Sequence, residues 1–366
     1  MNARAELAAR WLAIFGAVLS VILFPHLALA DEGNAHWTAH LRWGLEYDDN
    51  PHRLDAEDQQ FVGSSGAALM RYLLGGDMLT EVGSSGQVSA SIKHGGKFFH
   101  RETDANAMLT EAGADTLFRP AGRLSIQLRG DVKDRTESGE HRLDYTRGGL
   151  GLRTGHPIGP LRLWADTGWR FLAFKPSPPS SYRGPYAGGG IRWMPRGDLA
   201  LSASYNHAWR NYAMEAWELR DDHFVGTGEN RADEHDLWQV IGRYQRYVNA
   251  SLRYQFATNR SNSHGQQMSR HAVEAAVTLP VVWDVFLSAR AEVQRTRYED
   301  PVLFDDVLLL DEDNRNTVVG AVTRTIGGPW EVEFRYSLFV QEFGVGGEYR
   351  RQTVAVALRA YLDETD

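Results

Sequence analysis

Residues 124–135 read LSIQLRGDVKDR. Leu124, Ile126, Leu128, Gly130 and Val132 fall on one side of a period of two, and Ser125, Gln127, Arg129, Asp131, Lys133 and Arg135 on the other. That period is the β-strand's, because successive side chains of a strand point to opposite faces. One face is therefore apolar and the other densely charged, and the rest of the chain must decide which of them meets water.

The same alternation recurs along the chain. Trp37, Ala39, Leu41, Trp43, Leu45 and Tyr47 interleave with Thr38, His40, Arg42, Gly44, Glu46 and Asp48; Leu252, Tyr254 and Phe256 oppose Arg253 and Gln255. Val285, Leu287, Ala289, Ala291 and Val293 oppose Ser288, Arg290, Glu292 and Gln294, and Val332, Phe334, Tyr336 and Leu338 oppose Glu331, Glu333, Arg335 and Ser337. Sixteen such segments are expected, beginning near residues 36, 62, 79, 107, 122, 142, 160, 183, 198, 235, 249, 267, 284, 315, 330 and 349; any number from 14 to 18 is compatible with the pattern.

The links between segments alternate in length. Turn-rich short ones are GGD at Gly75, RPAG at Arg119, HPIGP at His156, PRGD at Pro195, YVN at Tyr247, PVVWD at Pro280 and GGP at Gly327. Between them come longer polar ones from Asp48, His100, Lys175, Met214 (MEAWELRDDHFVGTGENRADEH), Asn259 and Glu299. Tight turns at one end and long loops at the other are expected of an up-and-down barrel in an outer membrane, with the short turns periplasmic and the long loops extracellular.

The chain has 366 residues, 36 Gly, 14 Tyr and 11 Trp, a balance that favours strands and turns over helix bundles. Arg4 and Arg10 precede an apolar run ending in Ala28-Leu29-Ala30, so residues 1–30 read as a cleaved signal peptide and 31–366 as one barrel domain. Losing Arg4, Glu6 and Arg10 takes the net charge from −8 to −9, which disfavours a nucleic-acid partner. There is no cysteine, hence no disulfide framework and no thiolate metal site. After residue 30 no apolar run approaches the length of a membrane helix, a test to which barrel strands are invisible.

Chemistry-bearing motifs are sparse. None of the thirteen histidines stands in a nucleophile–base pattern, so no enzyme and no cofactor are expected. LLLDEDNRN, 308–316, has the acidity of a calcium loop but not its required Gly or terminal Glu, and reads as a solvated acidic loop, the alternative being a looser surface site in which Asp311 and Asp313 meet lipopolysaccharide-bridging cations. The charged face itself remains. Arg123, Arg129, Asp131, Lys133, Arg135, Arg162, Asp166, Arg170, Arg253, Arg290, Glu292, Glu331, Glu333 and Arg335 are the candidate lumen-lining residues. They form either a field acting on polar solutes or a salt-bridge lattice stiffening the wall. Trp37, Trp43, Tyr47, Trp193, Trp283, Trp330, Phe343 and Tyr349 are the candidate interfacial aromatics.

With these features the mature chain resembles a porin-type bacterial outer-membrane β-barrel. The opening strand LRWGLEYDDNPHR is also similar to the Y-D-x-N start of proteobacterial barrels, some of which export surface polysaccharide. The resemblance implies outer-membrane lipid, lipopolysaccharide and the barrel-assembly machinery as partners. It implies a channel passing hydrophilic solutes. The alternatives are an export barrel working with periplasmic partners and a non-conducting component of a cell-surface machine.

Overall fold

The computed structural model describes residues 35–51, 66–121, 123–139, 144–300, 315–341 and 350–363. The expected signal peptide, Phe343, Tyr349 and almost all of the acidic loop at 308–316 lie outside them. Sixteen strands follow one another: β1 (Ala35–Asp48), β2 (Ala67–Val82), β3 (Gly86–Phe99), β4 (Ala107–Ala121), β5 (Leu124–Glu137), β6 (Tyr145–Ile158), β7 (Leu161–Phe174) and β8 (Tyr182–Arg196) make one half. The other half is β9 (Leu199–Arg220), β10 (His223–Gln245), β11 (Asn249–Ser261), β12 (Met268–Pro280), β13 (Val285–Tyr298), β14 (Arg315–Gly327), β15 (Trp330–Gln341) and β16 (Arg350–Asp363). Each pairs antiparallel with its neighbours in sequence, and β1 pairs with β16, so the sheet closes on itself. Closure leaves no unpaired sheet edge along the wall.

Following register partners once round the wall accumulates a stagger of about 20 residues. With sixteen strands this sets a tilt of roughly 43° and a backbone radius of about 15 Å. A barrel of this size is too wide for side chains of opposite walls to meet and fill it, unlike one of eight strands.

Partners share a face, and the pairing carries one face consistently through all sixteen strands. The face holding Arg129 and Asp131 continues through Arg153, Asp166, Arg253, Glu274, Glu292, Glu333, Glu46 and Arg71 and returns to β5. The opposite face bears Leu45, Ile92, Leu150, Leu252, Val293 and Val356, each at least half exposed and drawn from strands all round the barrel. A continuous apolar belt of this extent is far beyond what a water-soluble monomer shows and fits a hydrocarbon surround. The ordinary strand of fourteen residues, tilted as above, spans about 34 Å, enough to cross it.

Two expected links are corrected. Gly75-Gly76-Asp77 is not a turn but lies inside β2, where the missing side chain of Gly75 makes room for the His40 ring: a Cβ there would sit 2.0 Å from His40 Cε1. The turn comes later, at 83–85, where Gly83 takes φ +60°. The stretch from Met214 to His235 is not a long loop either. It extends β9 and β10 to 22 and 23 residues and closes in a two-residue turn at Asp221 and Asp222, with φ 48° and 60°. Paired left-handed residues make the turn type that suits a twisted hairpin, and Asp tolerates that region better than most side chains. The hairpin rises past the rim, where both faces meet water, so the apolar alternation that marks the other strands is missing. Its first arm is fastened midway by the β11–β12 link: Trp217 N donates to Ser263 Oγ at 3.1 Å and His264 N to Trp217 O at 2.7 Å.

Candidate functional site

Among the described residues three charge clusters stand out on the inward face, each built across neighbouring strands because inward positions recur every second residue. The first spans the closure between β16 and β1. Glu46 accepts from Arg71 at 3.0 Å and Arg335 at 3.3 Å, and Glu333 accepts from Arg42 and Arg359. Asp48, fully buried, accepts two hydrogen bonds from Arg351 Nε at 2.8 and 3.0 Å and another from its terminal nitrogen. Arg42 and Arg359 stand directly opposite in the ladder, and Glu333 lies between them. Like charges facing each other across strands repel, and the carboxylate resolves the conflict.

The second cluster joins β11, β12 and β13: Glu274 holds Arg253 at 2.9 Å and Arg290 at 3.1 Å, and Arg290 also reaches Glu292 at 3.2 Å. On the opposite side, Lys133 pairs with Glu111 at 3.1 Å, Arg135 with Glu137 at 2.6 Å, and Gln127 donates to Asp115 at 3.0 Å.

The third cluster is different. A cavity of about 490 Å³ lies along β5 to β10 near the short-turn end, and the charged side chains lining it are Arg129, Arg153, Arg162, Arg170, Arg192, Arg243 and Asp166. Asp166 takes Arg129 at 3.0 Å and Arg153 at 3.5 Å. Among the described residues Arg162 bonds only to Ser125 Oγ, at 3.4 Å, and Arg170 lies over the Tyr186 ring, 4.1 Å from its centre. Small residues keep this wall thin. A Cβ on Gly168 would stand 2.7 Å from the Tyr186 ring, and one on Gly190 would stand 2.3 Å from the Trp164 ring. Both aromatics therefore lie against the wall instead of crossing the lumen.

The structure places Arg129, Asp131, Lys133, Arg135, Arg162, Asp166, Arg170, Arg253, Arg290, Glu292, Glu331, Glu333 and Arg335 on the inward face by register. Arg123 departs from the expectation: it is exposed in the two-residue link between β4 and β5, off the wall, because β5 begins one residue later. Sequence reasoning did not single out Arg42, Glu46, Asp48, Arg71, Arg153, Arg192, Arg243, Arg351 or Arg359. Parity along the same strands was the available signal for Arg42 and Glu46. Nothing local could announce that Asp48 would meet Arg351, 303 positions away.

Among the aromatics, Trp37 and Tyr47 lie outward near opposite ends of β1, Trp193 near the end of β8, Trp330 at the start of β15 and Trp283 in the β12–β13 turn. Trp43 stands outward five residues from the Asp48 end of β1, opposite Tyr72 and Leu358. The outward face also turns polar towards the long-loop end. Tyr72 Oη, His94 and Thr110 Oγ1 form a hydrogen-bonded row at 2.8 and 2.9 Å, and Asp236 joins Tyr205 at 2.5 Å and His207 at 2.7 Å.

The architecture is a closed barrel of sixteen antiparallel strands in up-and-down order. Solved structures similar to it include the outer-membrane protein OmpT of Vibrio cholerae, 11% identical over 91% of this chain and 99% of that one, with a TM-score of 0.49. A porin of Rhodopseudomonas blastica in triple-mutant form is 10% identical over 90% and 100%, TM-score 0.39. OccAB3 of Acinetobacter baumannii is 9% identical over 90% and 99%, TM-score 0.44. No protein-family model and no curated protein sequence matches the chain.

Proposed function

We propose that the protein is an outer-membrane channel through which hydrophilic solutes diffuse passively. The observation that carries this reading is the reversal of polarity: an apolar belt outside and rows of arginine and carboxylate inside a wall too wide to be filled by its own side chains. Charge at this density needs water or partners. The seam cluster and the Glu274 cluster supply partners within the wall, while the arginine-lined cavity leaves room for solvent and solute. In this reading residues 1–30 direct export and are removed, the short turns lie in the periplasm, and the long links together with the β9–β10 hairpin face outward. Lipid and lipopolysaccharide surround the belt, and the assembly machinery inserts the barrel.

The solute undergoes no covalent change. His207, bonded to Asp236, lies on the outward face with Trp209 packed edge-on against its ring, so it does not address the lumen.

Planar-bilayer recording of the purified protein tests the proposal. Discrete conductance steps are expected in potassium chloride, and their absence from protein that still shows heat-modifiable migration on gels would overturn it.

A further inference from the structure

The Arg162–Arg192 pair is an unresolved version of a conflict that the same barrel resolves elsewhere. Arg162 and Arg192 are direct register partners on β7 and β8, as Arg42 and Arg359 are on β1 and β16. Between the latter stands Glu333. Among the described residues no carboxylate comes within ion-pair distance of Arg162, Arg192 or Arg243, Arg170 faces Asp131 across Gly149, and Asp166 is already shared by Arg129 and Arg153. The cavity therefore collects six guanidinium groups against one carboxylate, on one side of the lumen. Guanidinium presents its donors in a planar fork that matches the two oxygens of a carboxylate or phosphate.

Resting on the channel reading above, we infer that this trough is a binding and selectivity site for small, multiply charged oxyanions, which take between Arg162 and Arg192 the place that Glu333 takes between Arg42 and Arg359. The cavity, about 490 Å³, admits a solute of a dozen or so heavy atoms together with water. Asp166 sits deeper along β7 and holds Arg129 and Arg153 in place, so Arg162, Arg192 and Arg243, which lie nearer the short turns, are the first that an anion entering from that end would meet. Ser125, already bonded to Arg162, and Ser202, the register partner of Arg192, stand beside them as neutral hydrogen-bonding groups. The wall thus offers binding without a competing negative charge next to the pair.

The test uses the full barrel in planar bilayers and in detergent. Under a potassium chloride gradient the reversal potential is expected to show chloride preferred over potassium, and citrate and pyrophosphate, added separately, are expected to reduce the chloride current while sucrose does not. Block by only one of the two identifies the carboxylate or the phosphate as the preferred group. Arg162→Gln with Arg192→Gln should weaken the block by about tenfold for each arginine removed. Arg192→Gln alone serves if the double variant does not show the heat-modifiable migration of a folded barrel. Conductance without anion preference, or equal block of wild type and variant, overturns the inference and leaves the channel reading standing. A barrel that does not conduct defeats the channel reading, yet calorimetric titration of citrate and pyrophosphate into the same detergent samples still decides the trough: no heat of binding, or equal affinity in the variant, overturns it.

Discussion

Leu128 and Gln127 are neighbours on β5 whose side chains live in opposite surroundings. Leu128 points outward and is 43% exposed on the apolar belt, while Gln127 points inward, donates to Asp115 and lines the arginine trough. Leu128 is the fifth of the fourteen residues of β5, between interface and midplane, so Leu128→Arg should destabilise the barrel by about 1 to 3 kcal/mol, approaching the cost of an arginine at the middle of the hydrocarbon. Gln127→Arg faces Arg153 in the ladder, but Asp115 on one side and Asp166, which holds Arg153, on the other supply counter-charge within reach of water, so stability should change by less than about 1 kcal/mol. Denaturant unfolding of the two variants in lipid vesicles measures the difference. Equal losses would mean that the faces are assigned the wrong way round.

At the scale of the element, two features set β1 and the β9–β10 pair apart. The first and last strands are held by hydrogen bonds and also by Glu46, Asp48 and Glu333, each of them nearly inaccessible. Glu333→Gln leaves Arg42 and Arg359 facing each other without a counter-charge, so the closure should weaken by about 1 to 3 kcal/mol. The expected readout is a lower temperature for the conversion from fast to slow migration on gels, with the belt and lumen otherwise unchanged. At the hairpin, Asp221→Val together with Asp222→Val puts β-branched side chains in left-handed backbone, at about 1 to 2 kcal/mol for each residue. Limited proteolysis should then cut between residues 214 and 232 faster than in wild type, while the barrel keeps its mobility.

These two elements also show what could be read from the chain alone. β5, β13 and β15 were legible because lipid on one side and lumen on the other force a strict period of two, and most strand starts lie within three residues of where that period places them. The hairpin was not legible, because above the rim both faces are wet and nothing enforces alternation. The position of the β2–β3 turn was obscured by Gly75 and Gly76, which read as turn residues but serve as clearance for a side chain on β1. The inward charges of single strands could be assigned by parity. Their grouping into a paired seam and an unpaired trough depends on which strands become neighbours and in which register, and Glu46 meeting Arg335 joins positions 289 apart.

For the whole molecule, the stagger and the strand number fix the bore before any side chain is considered. A backbone radius of about 15 Å leaves, after a layer of inward side chains roughly 5 to 6 Å deep on each side, an opening no wider than about 20 Å. The arginines of the trough and the ion-paired walls opposite narrow it unevenly, so passage is set by the widest path between them and not by the wall itself. Proteoliposomes carrying the protein should accordingly swell in solutions of mono- and disaccharides and resist swelling in dextrans of several kilodaltons. Because the opening is defined by closure of β1 on β16, the weakened seam of Glu333→Gln should leave this size limit unchanged in barrels that remain folded. A limit that rises in step with seam weakening would show instead that the ion pairs at the closure, and not the strand count and stagger, determine the bore.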